Sequence, residues 1–205
     1  AIDLAIGSRN GKDEDEEEQE KEDDEEDDIR HALEHYIFSQ LHSVIFKCLQ
    51  DQYKKKESIV RKEFKTARNR GGLQPDEVGL QSRFHGVSLD RAVEEMKQLC
   101  EETCPCGKIQ CIRRVGRYIH ENLNELVRGW SLRNRFNRDE STQSKNNKEV
   151  VIAGDDILPL FVLVVVRAEP ADLHANVEYM SNWTLSDIRS ESGFYLANFA
   201  AAVQY

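Results

Sequence analysis

The sequence predicts an all-α fold: a layered domain of about seven helices preceded by a disordered acidic segment. Three observations point there. Apolar residues recur at three- and four-residue intervals through most of the chain after residue 28, the period of one helix face. The single run with strand-like composition, LPLFVLVVV over residues 158–166, would be a lone strand with nothing to pair with. Residues 13–28 hold fourteen acidic side chains and one lysine. With no apolar residue to bury and strong like-charge repulsion, that block is expected to be disordered.

At 205 residues the chain suits one domain, divided as an acidic segment over 1–28 and a helical domain over 29–205. The net charge of −10 belongs to the acidic block, because the remaining charges nearly cancel. AIDLAIGSRN is too short and polar for a signal peptide, and the longest apolar run, residues 157–166, is far short of a bilayer crossing. Five cysteines without a secretory signal point to a reducing compartment. The chain closes on Ala-Ala-Val-Gln-Tyr without a cap signal, so the domain reads as truncated at its C-terminus.

Residues 29–46 place Leu33, Tyr36 or Ile37, Leu41, Val44 and Ile45 on one stripe of an amphipathic helix. Leu49, Tyr53, Ile59 or Val60 and Phe64 carry the pattern through residues 47–69, as a second helix or as an extension of the first. Glycines and a proline in NRGGLQPDEVGLQSRFHGVS then break it. Ser88 opens the next helix as a capping box, with Arg91 at its third position and Asp90 in the first turn. Leu89, Ala92 or Val93, Met96 and Leu99 are its stripe, and Ile109, Ile112, Val115 or Gly116, Ile119, Leu123, Leu126 and Val127 mark another helix. Residues 129–149 are polar and uncapped, a loop insertion.

For residues 158–166, propensity and context disagree. Consecutive valines favour a strand, whereas Asp155-Asp156 before Ile157 and Pro159 in the first turn resemble a helix start. Context decides for a buried helix. Pro170 and Asp172 open a shorter helix with Leu173, Val177 and Met180 inward. Phe194, Leu196 or Ala197, Phe199, Ala200 and Val203 mark the last one. Charged side chains are almost never fully buried unless paired, so the two aspartates belong where the apolar run reaches the surface. From the residues alone, Asp155 is an N-cap and Pro159 helix-start punctuation.

Four cysteines fall within CEETCPCGKIQC, residues 100–111. Structural zinc sites pair their ligands at short gaps with the two pairs well separated; here they are bunched, with no second knuckle. Cys100 and Cys111 are therefore expected as small core hydrophobes flanking a Thr-Cys-Pro-Cys-Gly turn, and no metal is expected. The six histidines accompany no nucleophile motif or phosphate loop. His31, His35 and His42 recur at helical spacing but have no acidic third ligand in phase, which suits a solvated face. Trp130 and Phe136 interleave the basic residues of 128–138, yet a near-neutral domain without a recognisable motif does not suit nucleic acid. No cofactor is expected.

The last fifty residues resemble the VPS-nine domain (vacuolar protein sorting nine), the exchange-factor module for endosomal Rab GTPases. The resemblance rests on Asp155, Asp156, Pro159, Arg167, Pro170, Asn176, Tyr179, Gly193, Phe194, Tyr195 and Asn198 in order and spacing. More loosely it extends upstream through EMKQLCEETCPCGKIQCIRRVGRYIHENL and EHYIFSQLHSVIF, to cover about residues 31–205. It implies a guanine-nucleotide exchange factor for a Rab GTPase of the early-endosome class. Asp155 would be an acidic finger that competes for the phosphate-loop lysine and expels magnesium and GDP without covalent chemistry. Asp156 would be left to serve the helix. Pro159, Phe194, Tyr195, Ala197 and Asn198 would face the GTPase.

Two positions depart from the family pattern: Phe194 replaces its usual Tyr, and Ala197 its usual Thr. Both lose a hydrogen-bonding group, so the alternative is a catalytically weak or inactive GTPase-binding scaffold module. A third reading is an acidic-tailed interaction protein with a metal knot at residues 100–111. The resemblance also implies a cytoplasmic protein peripheral to early endosomes, associated with the membrane through the GTPase or through parts outside this sequence.

Overall fold

The computed structural model describes residues 10–136, 152, 154–185 and 191–205, with side chains from residue 28 onward and, before residue 137, only to residue 130. Its six α-helices are α1 (Asn10–Asn69), α2 (Asp90–Lys97), α3 (Pro105–Phe136), α4 (Ile157–Ala168), α5 (Leu173–Trp183) and α6 (Glu191–Gln204). Short 3₁₀ turns occupy Pro75–Val78, Ser82–Phe84, Gln98–Cys100 and Gly154–Asp156. Among the described residues there is no strand, as the all-α reading requires. The count is six because residues 29–69 form a single helix with no break between its apolar and polar halves.

The helical backbone of α1 begins at Asn10, inside the segment expected to be disordered. Glutamate and glutamine are good helix formers, which offsets the repulsion between like charges on neighbouring turns. Residues 1–9 lie outside the described residues, as does the part of the expected loop insertion beyond 136. The start of that insertion is helical instead, since α3 continues to Phe136.

α4 is the centre of the molecule. It packs against α2, α3, α6 and the turn Pro75–Val78. Ile157, Leu160, Phe161, Val162, Leu163, Val164 and Val165 are all at most 3% exposed. Burial on nearly every side accounts for a helix apolar all round. The valine run follows a helix because the backbone groups are then satisfied within the segment itself, with no partner strand.

α1 lies across α3 and α5. Its inward face follows the expected stripe from Ile45 onward, through Leu49, Tyr53, Val60 and Phe64, but not before it. Phe38, Leu49, Phe64 and Ala67 are buried, whereas Leu33, Tyr36, Ile37, Leu41 and Val44 are exposed. Residues 29–49 of this helix carry two apolar faces, and the one that packs also carries a charge. Glu34, fully buried, accepts the Cys106 N–H at 2.8 Å and so caps the start of α3. Glu57, 4% exposed, accepts the His174 N–H at 2.7 Å and caps the start of α5. A carboxylate at a helix N-terminus satisfies an otherwise orphan donor and opposes the positive end of the dipole.

The same helix holds the α4–α5 connection. Glu169 and Asp172 both have positive φ, 48° and 55°, a conformation that side chains other than glycine rarely adopt. Arg68 binds the Glu169 carboxylate. Gln50 Nε2 donates to Asp172 at 2.7 Å, with Arg61 3.4 Å from its other oxygen.

Two local expectations change. The Ser88 capping box does not form: Leu89 is the N-cap of α2, and the Ser88 hydroxyl donates to Asp90 at 3.2 Å. Cys100 is exposed while Cys104 and Cys111 are buried. The reason is that α3 begins at Pro105, suited to a first turn by its missing N–H, which turns Cys104 inward. Lys108, 1% exposed, donates to the Leu99 carbonyl at 2.8 Å, and burial lowers its pKa to about 8.

Candidate functional site

The N-terminus of α4 emerges from the core beside α6. The turn Gly154–Asp156 leads into it, and the two aspartates separate there. Asp155 is exposed, and Asp156 is 3% exposed. Asp156 makes no side-chain bond to the start of α4, although it occupies the cap position. Instead its carboxylate accepts from Gln81 Nε2 at 2.8 Å, with Arg83 4.0 Å away. The residue expected to serve the helix therefore tethers the turn to the segment 81–84. Arg83 lies over the Phe84 ring, 4.6 Å from its centre, and Phe84 stacks on Trp130. That arrangement fixes the support from which Asp155 points outward.

Pro159 sits one turn further, half-buried, at a position where its missing N–H leaves no intrahelical bond unmade. Phe194 of α6 comes close to the same turn: a Cβ built on Gly154 would lie 3.8 Å from Phe194 Cε2. Phe194 is 43% exposed, and its ring meets Tyr195 edge-on at 5.3 Å. Ala197 is exposed, and Asn198 is half-buried with its amide donating to the Phe194 carbonyl at 2.9 Å. Asp155, Pro159 and Phe194 thus lie along the meeting edge of α4 and α6, with Ala197 and Asn198 one turn along α6.

Tyr195, grouped with these residues in the sequence, lies beneath them. It is 5% exposed, and its ring centre is 6.3 Å from that of Phe161. A Cβ on Gly116 of α3 would fall 2.2 Å from Tyr195 Cδ1. Only glycine lets α3 receive this ring, and the ring is the floor on which Phe194 rests. Burial, aided by nearby Glu191, raises the Tyr195 pKa against the opposing pull of Arg117 and Arg113.

The sequence reading missed Gln81, Arg83 and Gly116. An LQSRF segment gives no sign of its distant partner, while a glycine in an amphipathic helix facing an aromatic is a signal that could have been followed. A cavity of about 750 Å³ lies elsewhere, between the C-terminal half of α1 and α4, α5 and α6.

The sequence profile of the Vacuolar sorting protein 9 (VPS9) domain matches residues 89–205, and the chain belongs to this family. It is 24% identical over 179 residues to the human GTPase-activating protein and VPS9 domain-containing protein 1, covering 85% of this chain and 10% of that protein. It is 20% identical over 183 residues to the human Rab5 GDP/GTP exchange factor, covering 86% and 32%. It is 36% identical over 63 residues to receptor-mediated endocytosis protein 6 of Caenorhabditis elegans, covering 29% and 6%. The chain thus spans about a tenth of the length of the first of these relatives. No helix among the described residues is long and apolar enough to cross a membrane.

Proposed function

We propose that the chain is a guanine-nucleotide exchange factor for a Rab GTPase of the early-endosome class, with Asp155 as the group that destabilises bound magnesium and GDP. The observation that carries this reading is the division of labour between adjacent carboxylates. Asp156 is buried against Gln81, and Asp155 faces outward from a helix immobilised in the core. A GTPase holds its nucleotide with a lysine and a divalent cation that neutralise the phosphates. A carboxylate delivered there on a rigid support competes for the lysine and repels the β-phosphate, so nucleotide leaves without any bond being made or broken. Pro159, Phe194, Ala197 and Asn198 supply the surface against which the GTPase docks. Tyr195 contributes from below, by holding Phe194 up. The relative named a Rab5 GDP/GTP exchange factor supports this class of partner.

A second reading, a GTPase-binding scaffold with little or no exchange activity, is favoured by Phe194 and Ala197. Both are exposed on the docking edge, and both lack the hydroxyl usual in the family. Release of a fluorescent guanine nucleotide from a panel of Rab GTPases distinguishes the two. Acceleration on an early-endosome Rab supports exchange. Saturable binding with no acceleration on any Rab refutes exchange and leaves the scaffold. On either reading the protein would act in the cytoplasm, peripheral to early endosomes.

A further inference from the structure

Among the described residues, one cluster of metal-ligating side chains gathers at the start of α3. Cys104 and Cys106 flank Pro105 at the start of α3, with their sulfurs 2.6 Å apart. Glu34 reaches them from α1, seventy residues upstream. Its Oε1 is 3.9 Å from Cys104 Sγ and accepts the Cys106 N–H at 2.8 Å. One ligand atom from each of the three residues lies within 4.8 Å of the other two. Glu34 and Cys104 are at most 1% exposed, while Cys106 is partly exposed, so the cluster opens to solvent on one side.

We propose that Glu34, Cys104 and Cys106 form a zinc site whose fourth position is taken by water. Zinc binds thiolate sulfur at about 2.3 Å and carboxylate oxygen at about 2.0–2.2 Å. A tetrahedron with those bonds separates sulfur from oxygen by about 3.5 Å and sulfur from sulfur by about 3.8 Å. The Glu34–Cys104 pair already stands near the first spacing. Rotation of the partly exposed Cys106 side chain opens the sulfur pair to the second. Two thiolates exclude magnesium and calcium, which take oxygen ligands, and the carboxylate favours zinc over copper(I).

The surroundings orient the ligands as a metal site requires. The Thr184 hydroxyl donates to both Glu34 oxygens at 3.0 and 3.1 Å, and the Leu185 N–H donates at 2.9 Å. Such outer bonds fix a ligating carboxylate. The cluster sits at the first turn of α3, so the positive end of that helix faces ligands that become anionic on binding. On binding, each thiol that starts protonated gives its proton to solvent. Three thiolate and carboxylate charges then face two on the ion. Cysteines bunched in one turn cannot close a site alone. The ligand from α1 completes this one and joins α1, α3 and the end of α5 at a single point.

The test uses the whole chain, purified reduced and without chelator. Zinc is titrated against a chromophoric chelator, and cobalt(II) is added separately as a spectroscopic substitute. The expected result is one zinc per chain, a higher thermal midpoint with zinc, and a thiolate-to-cobalt charge-transfer band. Cys104→Ser and Cys106→Ser should each weaken zinc by at least about 100-fold, and Glu34→Gln by about 10- to 100-fold. Cys48→Ser and Cys100→Ser, at exposed thiols, should leave it unchanged. The cobalt spectrum of the unaltered chain keeps the test decisive where a variant fails to fold. Absence of the band under excess cobalt overturns the site, as does zinc binding that survives replacement of both Cys104 and Cys106. Thiol titration showing the pair oxidised to a disulfide in metal-treated chain also overturns it.

Discussion

Asp155→Asn and Asp156→Asn should separate function from stability, although the residues are neighbours and the change is the same. Asp155 is exposed and forms no part of the core, so replacing it should alter stability by no more than about 0.5 kcal/mol. The charge it loses is the one proposed to act on the GTPase. Two unit charges 4 Å apart near a protein surface interact by about 4 kcal/mol. Losing that from the transition state for release slows it by about a thousandfold. Asp156 is buried and accepts from Gln81 at 2.8 Å. A hydrogen bond to a charged group contributes about 1.5–3 kcal/mol, which in a chain of this length corresponds to a fall in thermal midpoint of about 3–12 °C. The amide oxygen introduced by Asp156→Asn could still accept from Gln81, so the lower end is expected. Stopped-flow release of fluorescent GDP and a thermal melt, run on both variants, give four numbers. Asp155→Asn with a wild-type release rate refutes the acidic finger for this protein. Asp156→Asn with an unchanged melt but abolished release would assign the finger to the wrong carboxylate.

Gly116→Ala places a methyl about 2.2–2.5 Å from three carbons of the Tyr195 ring. It should destabilise the domain by about 1–3 kcal/mol and lower exchange by displacing Phe194. Gly129→Ala, with nothing within 4 Å of the new carbon, should stabilise α3 by up to about 1 kcal/mol, and chemical denaturation measures both. Phe194→Tyr with Ala197→Thr should raise the catalytic efficiency of release at low GTPase concentration, each restored bond contributing about 0.5–1.5 kcal/mol. An unchanged or lower efficiency across the whole Rab panel would refute that role for the two positions. His42 stacks on Phe46 and meets Tyr179 edge-on, and burial, then Lys108, lowers its pKa from 6.5. Below 6.5 the unfolded chain takes up a proton that the folded one resists, so stability present above that pH is lost as pH drops towards the folded value. The denaturation midpoint of His42→Gln should vary less with pH over that window than the wild-type midpoint does.

How much of this was legible in the sequence depends on how local the determining physics is. The buried helix at residues 157–168 could be read because an apolar run that long, without a partner strand, has few other ways to satisfy its backbone. The edge formed by Asp155, Pro159 and Phe194 could be read because its residues belong to a motif of fixed spacing. The inward face of α1 before Ile45 could not. Leu33, Tyr36, Ile37 and Val44 satisfy the helical period as well as Phe38, Ile45 and Leu49 do, and periodicity carries no information about which face meets a neighbour. What decides is Glu34. Its carboxylate is needed at the start of α3, and it shares a face with Phe38, so the more apolar stripe is turned outward.

The same distinction explains why the sequence places Tyr195 on the surface with Phe194 when the fold does not. Adjacent residues on a helix point about 100° apart, so two neighbouring aromatics cannot both lie flat on one partner. Which of them goes inward depends on what the opposing helix leaves open, and that is decided at Gly116, far upstream in α3. In the sequence Gly116 appears only as an alternative to Val115 at one position of a stripe. Val115 is fully buried and fills the core phase. Gly116 then remains as a notch beside it, deep enough for one ring. A bulky residue at 116 would force Tyr195 outward and take Phe194 off the proposed docking edge. For that reason a small side chain at 116 is as much a requirement of the proposed function as the carboxylate at 155.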